Sequence, residues 1–392
     1  MVTRTVQRTL ILAIGMTLSL ALHSGAQTRV QTDVESLVTL RWTGDELALT
    51  GFSRATADFR SPQHPMVQGR LQLRLTVLDV AGTAFALPEV PRAYVRFRFP
   101  VTEDYLFRVT AGRDRLSWGV GSLFNAGDLL FGADGRDEAD FTRPSDVRDE
   151  TAWLTAAYFP IGALGYLEAV GLPPLPPVAG MVPAGTPGDP PDTDSPGVSE
   201  CRAGVRLHLA TGPLSVEPAY LYDGRDDAHR VALSFGSAAL GADIYATGSL
   251  DIPTGADALP ELPELLRERS RVSAGVFRSY AVGYDGTLNA RLEALVRPGG
   301  AWESVGEPTA HYGLLLHPEL VYIPGRTVTI LSRAVVSPID GSAQVTAGAT
   351  WNIFQGFTAL AFGVVQIGDD TSVYGWDRDG SVAISAGFRY EY

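Results

Sequence analysis

The stretch Gln68-Gly69-Arg70-Leu71-Gln72-Leu73-Arg74-Leu75-Thr76-Val77 decides how the rest of the chain is read. Side chains alternate along an extended strand, so Gly69, Leu71, Leu73, Leu75 and Val77 make one oily face. Gln68, Arg70, Gln72, Arg74 and Thr76 make a polar one. The same two-faced pattern returns at Arg92–Phe99, where Ala93, Val95, Phe97 and Phe99 oppose Arg92, Tyr94, Arg96 and Arg98. It returns again at Thr287–Arg297 and Ser342–Trp351. An all-β chain follows, but alternation alone does not say whether the oily face meets a core or lipid.

Connection lengths separate the two. Strands are expected near 66–78, 90–100, 104–114, 150–160, 162–171, 202–211, 213–223 and 228–236. More follow near 238–248, 270–280, 285–297, 309–322, 325–337, 341–352, 355–367 and 380–392. Mostly long connections, among them 79–89, 115–149, 172–201, 249–269 and 298–308, alternate with short ones near Pro100, Ile161, Gly212, Ser237, Gly283, Gly325 and Phe354. Short turns at one end and longer loops at the other describe a transmembrane up-and-down antiparallel β-barrel of the bacterial outer-membrane kind. These make 16 strands, and an earlier hairpin at Val34–Trp42 and Asp45–Arg54 makes 18. Either even count returns both termini to the short-turn side, expected to be periplasmic. Aromatic residues beside the short turns, including Phe97, Phe99, Phe107, Tyr158, Phe159, Phe235, Tyr280, Phe354 and Phe357, fit one interfacial girdle.

Composition excludes several classes. The chain has 392 residues, with 31 basic residues, all arginine, against 44 acids. A net charge of -13 repels polyphosphate, so nucleic acid is not an expected partner. No apolar run reaches the roughly 18 residues of a membrane helix. Cys201 is the sole cysteine, which forbids an internal disulfide and has no evident role. Arg4 and Arg8 precede the apolar run Leu10–Leu22, and Ser24 and Ala26 supply small residues for cleavage, so residues 1–26 read as a signal peptide. Its removal leaves 29 − 44 = −15 on residues 27–392, a single barrel domain with long external loops at 115–149, 172–201 and 249–269.

The last strand carries Val382, Ile384, Ala386, Phe388, Tyr390 and Tyr392 on one face. It resembles the assembly signal of outer-membrane barrels, which implies that Phe388, Tyr390 and Tyr392 are read by the barrel assembly machinery. Segment 112–128, GRDRLSWGVGSLFNAGD, resembles a stretch in alginate-export-like and carbohydrate-type porins, where G-R-Q, W-G and N-P-x-D recur. It departs from them in Asp114 for the Gln and Ala126 for the Pro. The resemblance implies that Gly112, Arg113, Trp118, Gly119, Asn125 and Asp128 hold the start of a long loop turning into the lumen.

Arginines gather on the expected inward faces of three neighbouring strands: Arg70 and Arg74, then Arg92, Arg96 and Arg98, then Arg108, with Arg113 and Arg115 just beyond. A guanidinium stays charged at neutral pH and offers a planar fork to carboxylate or phosphate, so such a wall in a wet pore attracts anions. Acids crowd 128–150: Asp128, Asp134, Asp137, Glu138, Asp140, Asp146, Asp149 and Glu150. Folded inward they would set a transverse field against the arginines; left outside they form a solvated acidic loop. No nucleophile elbow, catalytic constellation or metal motif is legible, and His208, His311 and His317 read as isolated lumen residues. Asp377-Arg378-Asp379-Gly380 lacks the remaining ligands of a calcium loop and reads as a hairpin turn.

The sequence therefore predicts a non-enzymatic outer-membrane channel for passive diffusion of small hydrophilic solutes, anions favoured, with no cofactor and no metal. Its partners would be outer-membrane lipid, lipopolysaccharide and the assembly machinery, with a homotrimer open to it. The alternative is a non-conducting surface barrel, an adhesin or structural envelope protein.

Overall fold

The computed structural model describes residues 29–43, 46–62, 64–80, 83–136, 141, 148, 150–174, 197–255, 261–375 and 382–392. The signal segment 1–26, residues 137–140, 142–147 and 149 of the acidic loop (with Asp137, Glu138, Asp140, Asp146 and Asp149), most of the Pro-rich loop, and Asp377–Gly380 lie outside the described residues. Six strands open the sheet: β1 (Arg29–Thr43), β2 (Glu46–Arg60), β3 (Val67–Val80), β4 (Thr83–Pro100), β5 (Leu106–Asp114) and β6 (Ala152–Pro160). Six continue it: β7 (Gly165–Leu172), β8 (Arg202–Thr211), β9 (Leu214–Asp223), β10 (Ala228–Ala239), β11 (Ala242–Pro253) and β12 (Ser270–Val282). Six complete it: β13 (Gly286–Val296), β14 (Leu314–Ile323), β15 (Val328–Ser337), β16 (Ser342–Phe354), β17 (Phe357–Ile367) and β18 (Val382–Glu391). Each pairs antiparallel with its neighbours in sequence, and β1 also pairs with β18, so the 18 strands close into a barrel without edges. Thr32 and Tyr392 seal the seam by exchanging two backbone hydrogen bonds of 2.8 Å.

The early hairpin is present, which fixes the strand number at 18. One expected loop is not a loop: 79–89 is largely strand, with β3 running to Val80 and β4 starting at Thr83. Pro88 and Pro91 are tolerated there because β5 pairs only with Ala93–Pro100, leaving the earlier part of β4 unpaired on that side. A bulge places Val90 and Pro91 opposite Leu73, so Glu89 faces the same way as Arg74. The expected loop 249–269 is also partly regular, since β11 continues to Pro253 and a short helix, α1, spans Leu262–Arg269. Among the described residues no helix is long and apolar enough to cross a membrane.

Outward positions are mostly apolar, Arg113 and Arg278 being exceptions, and near the short turns many are aromatic. Phe99, Phe107 and Phe159 follow one another at 6.0 and 6.3 Å between ring centres, and Phe354, Phe357 and Phe388 at 4.9 and 5.5 Å. Tyr158 departs from the expected girdle: it faces inward, under the guanidinium of Arg108. The buried apolar core lies inside the barrel, in clusters that include Trp118, Leu154 and Leu221 on one side and Leu123, Phe124, Leu295 and Leu315 on the other.

Candidate functional site

Both clusters exist because the connection from β5 to β6 folds into the barrel, and wall side chains take up its backbone. Trp118 Nε1 donates to Glu168 Oε2 at 3.1 Å, and Gly119 N–H donates to Glu217 Oε1 at 2.6 Å. Farther along, Glu293 accepts the N–H groups of Ser122, Leu123 and Phe124 at 2.6, 2.8 and 3.1 Å, and Ser273 Oγ accepts that of Ala126 at 2.8 Å. Wall arginines complement this by donating to carbonyls: Arg206 to Ser117, Arg202 to Leu130 and Arg333 to Phe141. A loop without its own ladder must bond its buried backbone somewhere, and here strands β7, β8, β9, β12, β13 and β15 supply the partners.

The motif residues fall inside this construction. Gly119 holds φ +72°, and a Cβ there would lie 2.5 Å from Asn125 Oδ1 and 2.7 Å from Gly127 Cα, so the turn has room only for glycine. Asn125 closes the same turn, donating to Trp118 O at 2.7 Å and accepting from Gly127 N–H at 3.1 Å. Asp128 accepts the N–H groups of Leu130 and Phe131 at 3.2 Å and pairs with Arg148 at 3.5 Å. Burial nevertheless pushes its carboxyl up to about 6, against the opposing pull of Arg148 and those N–H groups. Gly112, at φ +127°, lets β5 press against the carbonyl of Ala93. Arg113 does not belong to the inward loop: it pairs in register with Ala93 and Trp153 on the outer face and donates to Thr151 Oγ1 at 3.0 Å. Strand parity explains it, because β5 extends to Asp114 and odd positions there point out.

The six wall arginines all face the lumen, but they are not electrically alike. Arg70 is bound to Asp58 at 2.7 Å, Arg74 to Glu89 at 3.7 Å and Arg96 to Asp114 at 3.1 Å. Arg92 lies on the same inward face, opposite Gln72. Arg98 and Arg108 sit directly opposite each other across β4 and β5. Arg98 donates to Gln68 Oε1 at 2.7 Å, while Arg108 lies 3.8 Å above the ring of Tyr158. Neither of those partners is a carboxylate. The described acids of the loop do not oppose this wall as free charges: Asp134 is held by Arg136 and Arg297, and Glu150 by Arg148. For Asp134, burial pushes upward but the two guanidiniums outweigh it and hold the carboxyl below its ordinary value.

His208 lies 3.2 Å from Glu217, and His317 is fully buried against Phe124 and Phe141, so both inward histidines are packed rather than isolated. Beside the loop remains a cavity of about 560 Å³ lined by Arg115, Arg148, Glu150, Asp243, Tyr245, Arg291 and Arg333, among others. Among the described residues no cluster of potential metal ligands occurs.

No family model matches the sequence, and no curated protein matches it. Solved structures do resemble the fold. Acinetobacter baumannii OccAB4 is 8% identical, with a TM-score of 0.54 over 94% of this chain and 98% of that one. Pseudomonas aeruginosa OccD3 (OpdP) is 10% identical, with a TM-score of 0.49 over 93% of this chain and 91% of that one. Salmonella typhi OmpF is 10% identical, with a TM-score of 0.45 over 93% of this chain and 97% of that one. At such identity the likeness is one of architecture, and OccAB4 carries it: this chain shares its fold, here a closed antiparallel β-barrel of 18 strands.

Proposed function

We propose that the protein is an outer-membrane channel for passive diffusion of small hydrophilic solutes, with a preference for anions. The observation that carries the reading is a charge-lined space beside a loop that crosses the barrel interior without filling it. A loop held this firmly narrows the water path to a size at which wall charges act on a passing ion, since they are screened beyond about 8 Å at physiological salt. Anion attraction is assigned to the short-turn side of that loop, where Arg29, Arg60 and Arg70 line a second cavity, Asp58 is held by Arg60 and Arg70, and Arg98 and Arg108 face each other on neighbouring strands. Current through single barrels in planar bilayers tests the reading: discrete open steps support it, and a sealed barrel favours the surface-protein alternative.

Export through residues 1–26, periplasmic termini, contact with lipopolysaccharide, insertion by the barrel assembly machinery and a homotrimeric assembly belong to the same proposal. The outward aromatic ring at the short-turn end and the outward Phe388 and Tyr390 support its membrane part. No catalysis is assigned. The narrower alginate-export-like resemblance is supported by no family model, so the solute is argued from the lumen alone.

A further inference from the structure

On one side of the barrel the inward face turns apolar toward the end opposite the short turns. Leu37 of β1, Phe52 of β2, Leu78 of β3 and Phe85 of β4 stand in register in one inward row, with Leu87 two residues along on the same face. Across Gly387 the row continues to Leu360, which belongs to a buried cluster with Val321, Leu331 and Phe362. Val321 also lines the cavity beside the inward loop, so one apolar strip runs around the wall from that cavity to β4.

Neither lipid nor folding accounts for the β1 to β4 part of this strip. Toward the short turns the same strands are polar inside, as a wet lumen requires: Arg54, Thr56 and Asp58 on β2, and Arg70, Gln72 and Arg74 on β3. The β3–β4 hairpin then becomes apolar on both faces, with Val77 opposite Ala86 outside and Leu78 opposite Phe85 inside. Lipid can take the outer pair only. Phe85 and Leu87 remain 43% and 36% exposed. Among the described residues, neither buried cluster beneath the inward loop includes them, Phe52 or Leu78. A contiguous apolar face kept in water marks a place where another apolar group lands.

The face looks into the lumen, which admits a solute rather than a partner in the membrane plane. Of the charges along its short-turn margin, Arg389 is held by Glu35 at 3.0 Å and Arg74 by Glu89 at 3.7 Å, and Arg54 lies 4.9 Å above the ring of Phe52. The hydroxyls along its other margin are engaged too, Thr39 with Ser385 at 2.7 Å and Thr50 with the carbonyl of Thr39 at 3.5 Å. A sugar ring laid on the strip would leave its own hydroxyls without partners, whereas a methylene chain asks for none. We propose that the strip binds the short alkyl chain of water-soluble amphiphiles, laid along Leu37, Phe52, Leu78, Phe85 and Leu87. The site adds a solute class to the channel reading and rests on the lumen being a solute path.

Methyl, butyl and hexyl β-glucoside share one neutral head and differ only in chain length. Saturation-transfer NMR titration of the refolded barrel in lipid nanodiscs with these three probes, empty nanodiscs serving as blank, tests the site. Burying a whole methylene is worth about four-fold in affinity and a wall covers about half of it, so each added methylene should tighten binding about two-fold. Phe85→Ser combined with Leu87→Ser should flatten that dependence, and Phe85→Leu should keep it. Heat-modifiable gel mobility confirms that each variant is folded. A wild-type barrel that binds methyl and hexyl β-glucoside equally, or a chain-length dependence unchanged in the double serine variant, would overturn the site. Binding does not need conduction, so a sealed barrel whose chain-length dependence is lost with Phe85 and Leu87 would refute the channel and keep the site. A conducting barrel without that dependence would do the reverse.

Discussion

Glu293 Oε2 accepts the backbone N–H of Leu123 at 2.8 Å, tying together two residues 170 positions apart. With Ser122 and Phe124 on the same carboxylate, β13 holds the inward loop by one side chain that is fully buried. Glu293→Ala would leave three loop N–H groups without acceptors, costing on the order of 3 kcal/mol in the loop's attachment while the ladder of the barrel stays intact. Single-channel conductance should rise and protease should cut within 115–136, with heat-modifiable mobility kept. Unchanged conductance and cleavage would mean that Glu293 is not what holds the loop.

Acidification should tighten the same loop through Asp128. In the unfolded chain its carboxyl titrates at the ordinary 3.8, whereas in the folded protein burial raises it to about 6. Between those values the folded state holds the extra proton, so this group's contribution to stability falls as pH rises through about 6 and returns on acidification. The difference is on the order of 3 kcal/mol between pH 7.5 and pH values below the unfolded one. The gain in thermal midpoint on moving from pH 7.5 to 5 should therefore be smaller in Asp128→Asn than in the wild type. Equal gains would contradict the assignment.

Paired and unpaired arginines should respond differently to the same substitution. Arg96→Gln strips a half-buried ion pair and leaves Asp114 without its guanidinium, so folded yield should drop, at a cost of about 2 kcal/mol. Arg98→Gln gives up a bond to an amide, and its yield should stay near wild type. Refolding yields measured side by side check the contrast, and equal losses would mean that Arg98 has a structural duty not visible in its contacts.

At the seam, backbone closure and the terminal aromatic can be separated. Deleting Tyr392 removes both of its backbone bonds to Thr32, whereas Tyr392→Ala keeps them and loses only the ring. If the ring is a recognition signal, both variants should show a lower folded fraction in cells, but Tyr392→Ala should refold normally in detergent. Normal membrane yield of Tyr392→Ala would count against the signal.

How far the sequence carried this far depends on what each residue's face has to satisfy. Strands such as β3 and β16 were legible because lipid-like and wet faces impose a period of two on their residues. The reading of 79–89 as a loop failed because Pro88 and Pro91 usually break strands, and the missing partner on the β5 side that admits them is a tertiary fact. The grip on the loop was hidden for another reason: Glu168, Glu217 and Glu293 look like ordinary pore-lining acids until the loop's N–H groups arrive. A usable signal did exist, since β6, β14 and β15 are apolar on both faces at Leu154, Leu315 and Leu331, which a purely wet lumen would not require. Charge pairing across strands was not legible, and so the wall looked uniformly basic when Arg70, Arg74 and Arg96 each have a carboxylate.

Reversal potential across a KCl gradient bears most directly on the proposed anion channel. The wild-type barrel should favour chloride, and Arg98→Gln with Arg108→Gln should shift selectivity toward potassium, because two lumen charges with no carboxylate among their recorded contacts are lost. The shift should shrink at molar salt, where screening shortens to about 3 Å. A wild-type preference for potassium, or a double variant with the wild-type reversal potential, would contradict the account.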